Sequence, residues 1–226
     1  LVADIVSGSV GSNPSQLTDV GGTLFFAADN GTDGEELWTS NGTAAGTQLV
    51  SDFVSGSDGA TPRHLTAFDG QVLFIGVDSS GTRNLDVSDG TSTGTLQLTS
   101  LPIGDPPFSR PSEFVDAGGV VFFRADDGIH GDELWRTDGT EEGTVLVKDI
   151  RPGAEGSTPA FMVTVGNKVF FSANDGTFGN ELWVSDGTEA GTIRLTDINP
   201  GAGTSNPREL VAYKGEVFFT TSSGGV

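Results

Sequence analysis

Short apolar runs separated by turn-forming residues recur along the whole chain. Each run has about 4–7 residues, is rich in Val, Phe, Leu, Ile and Thr, and is bounded by Gly, Asn or Asp, which is typical of β-strands. One recurring run, Leu24-Phe25-Phe26 in its first copy, is apolar at every position and predicts a strand covered on both faces. No segment sustains the helical period of about 3.6 residues, so the sequence predicts an all-β protein.

The runs belong to a unit that repeats every 48 or 49 residues. A Glu-Leu-Trp tripeptide marks three copies, at 36–38, 133–135 and 181–183. A proline marks the same point in all five copies: Pro14, Pro62, Pro111, Pro159 and Pro207. A fixed period of this kind indicates a structural unit that stacks on copies of itself.

Each unit contains four predicted strands, of which the fourth lies at 48–53, 145–150 and 193–198 and, less regularly, at 96–101. Four strands in a unit of roughly 40–50 residues are typical of a propeller blade. We therefore predict a five-bladed β-propeller with four-stranded blades. We expect a single domain over 1–226, with repeats at approximately 1–47, 48–95, 96–144, 145–192 and 193–226.

The two ends of the sequence predict how the ring closes. Residues 1–5 match the fourth-strand run at 148–150, whereas nothing after Ser222 resembles Glu-Leu-Trp. We expect the N-terminal strand to complete the fifth blade, which stays one strand short. The alternative is that the sequence is a piece of a longer array.

The third strand and the turn after it resemble a known repeat. Residues 181–192 read Glu-Leu-Trp-Val-Ser-Asp-Gly-Thr-Glu-Ala-Gly-Thr, and 36–47 and 133–144 follow the same order. The chain thus resembles the ELWxxDGT-repeat family of bacterial secreted and cell-surface proteins, although Asn84-Leu85-Asp86 departs from the tripeptide. The resemblance implies a propeller-like fold and an extracellular or cell-surface location, and no particular reaction. In architecture alone, the chain is also similar to five-bladed tachylectin-type sugar-binding propellers.

Composition narrows the range of partners. The chain has 11 basic and 31 acidic residues, a net charge of −20, and no cysteine. Nucleic acids and anionic membrane surfaces attract clustered Lys and Arg, so neither is an expected partner. No apolar stretch approaches the ~20 residues of a membrane span, so membrane insertion is not expected.

The loops between the second and third strands carry candidate calcium ligands. Calcium binds several carboxylate and carbonyl oxygens of one flexible loop. In the alternative interpretation these are hairpin loops whose Asp and Asn residues cap their own backbone. The candidate ligands are Asp29, Asp33, Glu36, Asp126, Asp127, Glu133, Asp175 and Glu181. Calcium is the candidate cofactor, and no other is expected.

The tryptophans of the repeat allow two interpretations. Trp38, Trp135 and Trp183 either fill the space between neighbouring blades or expose an indole face that stacks on a sugar. Filling is favoured, because large aromatic side chains dominate core burial.

The sequence predicts no enzyme. His64 and His130 each occur in one blade only, outside any recognisable nucleophile motif. We expect a non-catalytic, secreted or surface-displayed binding module whose partner is a glycan or other cell-surface ligand, with carbohydrate favoured. One alternative is a structural subunit of an extracellular filament or surface assembly, whose incomplete fifth blade accepts a strand from a neighbour. A polysaccharide-degrading enzyme is the second alternative.

Overall fold

The computed structural model describes residues 1–8, 10–99 and 114–222. These ranges contain 18 strands and no helix, so the all-β prediction is confirmed and no membrane-spanning helix is found in them. The chain divides into two compact units, Leu1–Ile103 and Gly104–Val226, and each is described by itself. The single domain over 1–226 stays a prediction. The predicted repeat marker Pro111 and the end of the irregular fourth strand, Leu101, lie outside the described residues.

The first unit contains two antiparallel sheets, each formed by four strands that are consecutive in the chain. Blade one consists of β1 (Ser15–Val20), β2 (Thr23–Asp29), β3 (Glu35–Ser40) and β4 (Thr47–Leu49). Blade two consists of β5 (Arg63–Phe68), β6 (Gln71–Val77), β7 (Arg83–Ser88) and β8 (Thr95–Gln97).

The second unit contains two further four-stranded sheets and one sheet of two strands. Blade three consists of β9 (Val115–Asp116), β10 (Val121–Asp126), β11 (Asp132–Thr137) and β12 (Val145–Lys148). Blade four consists of β13 (Ala160–Val165), β14 (Lys168–Asn174), β15 (Asn180–Ser185) and β16 (Ile193–Arg194). The fifth sheet consists of β17 (Arg208–Tyr213) and β18 (Glu216–Thr220).

Apolar cores lie between successive blades of each unit. In the first unit Phe25 and Leu37 of blade one pack with Val72 and Phe74 of blade two. In the second unit the same repeat positions of blades three and four form the core. Phe25 and Phe26 are 2% and 5% exposed although neighbouring strand residues point to opposite faces. The predicted strand covered on both faces is thus confirmed.

The fourth strands are shorter than predicted. β4 ends at Leu49, and Val50 then packs in the core between blades one and two. In blade three β12 ends at Lys148, and Ile150 packs in the core between blades three and four. The apolar residues at the end of each predicted fourth strand are therefore buried against the next blade and do not continue the strand pairing.

The predicted completion of the fifth blade by residues 1–5 is wrong, because these residues form no strand. Ile5 packs instead against Phe26 and Trp38 of blade one. Ile150, at the same repeat position, packs in the same way against blade four. Among the described residues β17 and β18 pair only with each other, and Phe218 is 54% exposed. Self-assembly through the incomplete fifth blade stays a prediction.

Candidate functional site

The predicted calcium loops fold around their own polar side chains. In blade one, Asp29 Oδ1 accepts a 2.6 Å hydrogen bond from the Gly31 N–H. In blade three, Asp127 Oδ1 accepts hydrogen bonds of 2.9 and 2.8 Å from the N–H groups of Ile129 and His130. Blade four repeats both contacts, at 174–176 and 175–178. These are Asx turns, in which the side-chain oxygens hold the loop backbone in place.

The structure separates the eight candidate calcium ligands into two groups. Asp29, Asp33, Asp126, Asp127 and Asp175 lie in the loops or at their edges, whereas Glu36, Glu133 and Glu181 are fully buried. Within the described residues no three acidic or imidazole side chains converge on a point where they could hold a metal ion. Calcium binding stays a prediction.

The glutamate of each Glu-Leu-Trp tripeptide holds the connection that leads to the next blade. Glu36 Oε1 accepts hydrogen bonds of 3.3 and 3.0 Å from the N–H groups of Val54 and Ala60. Glu181 accepts hydrogen bonds from the N–H groups of Ser205 and Ile198, at 3.1 and 3.4 Å. Because buried donors need partners, these carboxylates fix the path of an otherwise irregular segment.

Glu133 makes the two backbone contacts of Glu36 and one more. Its Oε1 accepts hydrogen bonds of 3.0 Å from the N–H groups of both Arg151 and Ser157. The Ser157 hydroxyl donates to Oε2 at 2.5 Å. At the corresponding position of blade one stands Ala60, and Glu36 Oε2 is buried without a hydrogen-bond partner in the described structure.

Burial raises the pKa of Glu36 and of Glu133. Desolvation raises the pKa of Glu36 to about 7, against the opposing effect of the backbone hydrogen bonds from Val54 and Ala60. Desolvation also raises the pKa of Glu133, and the hydrogen bond from Ser157 opposes that rise. The arrangement is that of a structural anchor that carries a proton near neutral pH in blade one.

Among the described residues, His130 is the only histidine in the candidate calcium loops. It forms a hydrogen bond within its own loop. Its Nδ1 lies 2.7 Å from Asp127 Oδ2. This hydrogen bond raises the pKa of His130. The pair stabilises the turn in blade three, where blades one and four have no histidine.

The three tryptophans pack inside the blades. Trp38, Trp135 and Trp183 are 9%, 8% and 6% exposed. The Nε1 of Trp38 donates to the Ala28 carbonyl at 3.1 Å, and that of Trp183 donates to the Ala173 carbonyl at the same distance. Trp183 belongs to the core between blades three and four. Rings buried to this degree offer little face for stacking on a sugar, which favours the filling interpretation.

Blade two departs from the pattern at two positions, which lie on neighbouring strands. Asp86 takes the place of the tryptophan, and Gly76 takes the place of Ala28. The Asp86 carboxylate folds over Gly76, where an added Cβ would lie 2.7 Å from Oδ2. Sequence reasoning treated blade two only as a loss of site residues and missed this half-buried carboxylate. The signal was the joint replacement of Trp by Asp and of Ala by Gly in register.

The comparisons with known proteins establish the fold. No family model and no curated protein matches the sequence. Among solved structures, a puromycin-hydrolysing peptidase from Mycobacterium tuberculosis is similar, with 15% identity, a TM-score of 0.55 and coverage of 94% of this chain and 35% of that chain. A prolyl endopeptidase is similar at 18% identity, a TM-score of 0.53 and coverage of 92% and 31%. A puromycin hydrolase is similar at 20% identity, a TM-score of 0.50 and coverage of 92% and 32%.

These similarities define the chain as a β-propeller built from four-stranded antiparallel sheets. The chain spans about a third of the length of the three solved structures that it matches. At these identities the likeness carries the fold alone.

The comparison corrects the expected function. The three solved structures named above are peptidases, and the chain is similar to their propeller domains. The expectation of a carbohydrate-binding module is therefore wrong, as are its alternatives, the structural subunit and the polysaccharide-degrading enzyme. The absence of catalysis and the extracellular or cell-surface location stay predictions. The tryptophans, which were the candidate residues for stacking on a sugar, lie in the blade cores.

Proposed function

We propose that this chain is the propeller part of a peptidase-class hydrolase and that the molecules it handles are polypeptides. The observation that carries the proposal is the match with the M. tuberculosis peptidase, which covers 94% of this chain at a TM-score of 0.55. In this proposal peptide-bond cleavage belongs to a separate domain, and the blades control which polypeptides reach it. Five blades, one for each sheet of the described residues, are part of the same proposal.

The commitment of the repeated polar side chains to the fold supports a non-catalytic role. The buried glutamates bind the connections between blades, and the loop carboxylates cap their own turns. The Asp-Gly-Thr hairpins close on themselves in the same way, with Asp138 Oδ1 accepting from the Thr140 N–H and hydroxyl at 3.0 and 2.6 Å. Groups used in this way are not free to act as a general acid, a general base or a nucleophile.

The charge of the chain supports a preference among polypeptides. With a net charge of −20, the surface attracts basic segments and repels acidic ones at low ionic strength. Basic peptides are therefore the ligands with which to begin.

The test is a comparison of fluorescently labelled chain on a peptide array and on a glycan array. We expect saturable retention by a subset of peptides and none by glycans. The arrays are developed at about 0.1 M and 1 M NaCl, because at 1 M salt charges interact over only about 3 Å. Retention that survives at 1 M salt reports a fitted site, whereas retention by glycans alone would contradict the proposal.

Two controls complete the test. The heat-unfolded chain carries the same charge, so any peptide that it retains equally well is discounted. Retained peptides are then incubated with the folded chain and weighed by mass spectrometry. We expect them intact, and their cleavage would contradict the assignment of the chemistry to a separate domain.

A further inference from the structure

Blade two lacks the indole that fills the equivalent position in the other complete blades. In blades one, three and four the tryptophan of the third strand pairs with a phenylalanine of the second strand, and an alanine follows two residues after that phenylalanine. In blade two the corresponding residues are Asp86 and Gly76. A carboxylate and a hydrogen atom thus stand where an indole and a methyl group stand elsewhere.

The Asp86 side chain lies over Gly76. Its Oδ2 bends back over its own sheet and lies where a Cβ of residue 76 would approach it to 2.7 Å. Phe74, the cross-strand partner of Asp86, holds a ring atom 3.3 Å from the same point. Gly76 therefore makes room for the carboxylate, which lies against an aromatic ring.

A second aromatic ring, in the connection between blades one and two, lies near that of Phe74. Phe53 stands at the repeat position of Ile5 and Ile150. Its ring lies 6.2 Å from that of Phe74, at 47°. The larger residue replaces part of the lost apolar volume, but it brings no hydrogen-bond donor. We refer to Asp86, Gly76, Phe53 and Phe74 as the Asp86 site.

The Asp86 site has hydrogen-bond acceptors but lacks the donor of the other blades. In blades one and four an indole N–H donates to the carbonyl of Ala28 or Ala173, whereas no indole reaches the Gly76 carbonyl. Asp86 has no ion pair among the described residues, and within the same residues the one charge that shifts its pKa is the acidic Asp78. Two residues before Asp86, on the same strand face, Asn84 Oδ1 is buried without a donor in the described structure. Burial raises the pKa of Asp86 to about 7, more than the Gly76 backbone lowers it.

We propose that the Asp86 site binds an organic cation that carries N–H donors, such as the ammonium of a lysine or the guanidinium of an arginine side chain. Such a group supplies both the charge and the donors that the site lacks, and its alkyl or planar part packs on the partly exposed ring of Phe53. The assignment of the cation to a polypeptide rests on the proposed function. The binding of the cation itself does not.

The test is a titration of the isotope-labelled chain with n-butylammonium and with methylguanidinium, followed by NMR at pH 8 and constant ionic strength. We expect saturable shifts of the Gly76 and Asp86 amide signals. In the Asp86→Asn variant the affinity should fall about tenfold or more, because the ion pair is lost. The matched control is Asp58→Asn, which removes an exposed carboxylate of the same unit and should leave the affinity unchanged.

A second variant guards against misfolding of the first. The triple change Asp86→Trp, Gly76→Ala and Phe53→Ile restores the residues of the other blades, and we expect a stable chain that no longer binds either cation. Equal affinity in Asp86→Asn and the parent chain would overturn the proposal. So would equal binding of tetramethylammonium, which has the charge but no N–H donor.

The cation titration and the peptide array fail independently of each other. If the small cations bind at Asp86 and no peptide is retained, the site stands and the proposed polypeptide function is wrong. If peptides are retained equally by the parent chain and by Asp86→Asn, and neither cation binds, the function stands and the site is wrong.

Discussion

Glu36 and Glu133 occupy the same position of the repeat and hold equivalent connections. Their surroundings differ by a single hydroxyl group. Both are fully buried, and both accept two backbone N–H groups from the connection that follows their blade. Ser157 adds a third donor to Glu133, whereas Ala60 leaves Glu36 Oε2 without one. The two blades thus allow the effect of replacing serine by alanine to be compared within one chain.

The difference shows how a buried carboxylate is tolerated. Removing an acid from water is costly unless its oxygens receive donors. Glu133 receives three, so its charged form is better compensated than that of Glu36. Glu36 avoids the cost in another way, by holding a proton up to a pKa of about 7. Neither glutamate therefore takes the place of an ion pair. In blade one, however, the glutamate is a group that responds to pH.

The largest expected effect comes from deleting the anchors. Glu133→Ala leaves three donors unpaired, those of Arg151 and Ser157, and should cost about 3–5 kcal/mol of unfolding free energy. Glu36→Ala leaves two N–H groups unpaired and removes an unsatisfied oxygen, so we expect a clearly smaller loss. Urea unfolding followed by hydrogen exchange in each unit measures both.

Glu181→Ala is the matched control for that pair. Glu181 also accepts three hydrogen bonds, from Thr196, Ile198 and Ser205, and its deletion should resemble that of Glu133. A loss at Glu36 as large as at the other two would show that the third donor contributes nothing.

A pH series tests the second consequence. The pKa of Glu36 is about 7 in the folded chain, against a reference value of 4.5. The folded state therefore keeps a proton that the unfolded chain loses, and stability falls as the pH rises from about 4.5 to 7 and levels off above it. A pKa change of this size corresponds to roughly 3 kcal/mol.

The Glu36→Gln variant isolates this effect, because Asp86 and Glu133 titrate unchanged in both proteins. The free energy of unfolding of Glu36→Gln minus that of the parent should rise between pH 5 and 7.5. For the exposed-acid control, Asp58→Asn, the same difference should stay flat. A flat difference for Glu36→Gln would mean that Glu36 is ionised throughout.

Exchanging the hydroxyl between the two blades should have an intermediate effect. Ser157→Ala should cost about 1–3 kcal/mol by leaving Glu133 Oε2 without its donor, and Ala60→Ser should gain about 1 kcal/mol by supplying one to Glu36. The gain should disappear when Ala60→Ser is combined with Glu36→Gln, which a double-mutant cycle measures. If the gain is the same in both backgrounds, the new hydroxyl does not reach the carboxylate.

Much of the fold is readable in the sequence, because strand pairing follows local pattern. The doubly apolar second strands and the Glu-Leu-Trp strands lie where the period places them. The predicted fourth strands are too long, and the strand predicted at residues 1–5 is absent from the structure. An apolar residue such as Ile5 or Ile150 gives the same sequence signal in a strand and in a connection that packs on the next blade.

The roles of the site residues were less readable. Glu36 and Glu133 stand in an acidic context that suggests a cation, and their true partners are backbone N–H groups 18 and 24 residues further along the chain. Backbone donors have no signature in a sequence. Asp86 was visible as a departure from the repeat, but its half-burial depends on how blade two packs against blade one.

The smallest expected effect concerns a second pair of unequal copies, Trp183 and Trp135. Trp183 Nε1 donates to the Ala173 carbonyl, whereas Trp135 Nε1 is buried without an acceptor in the described structure. Replacement of either residue by Phe removes similar packing, so the difference between the two losses isolates the hydrogen bond. We expect Trp183→Phe to cost about 1 kcal/mol more than Trp135→Phe, the net worth of one such bond. Thermal and urea unfolding of both variants measure the difference, and a larger loss at Trp135 would show that its indole N–H has a partner in solution.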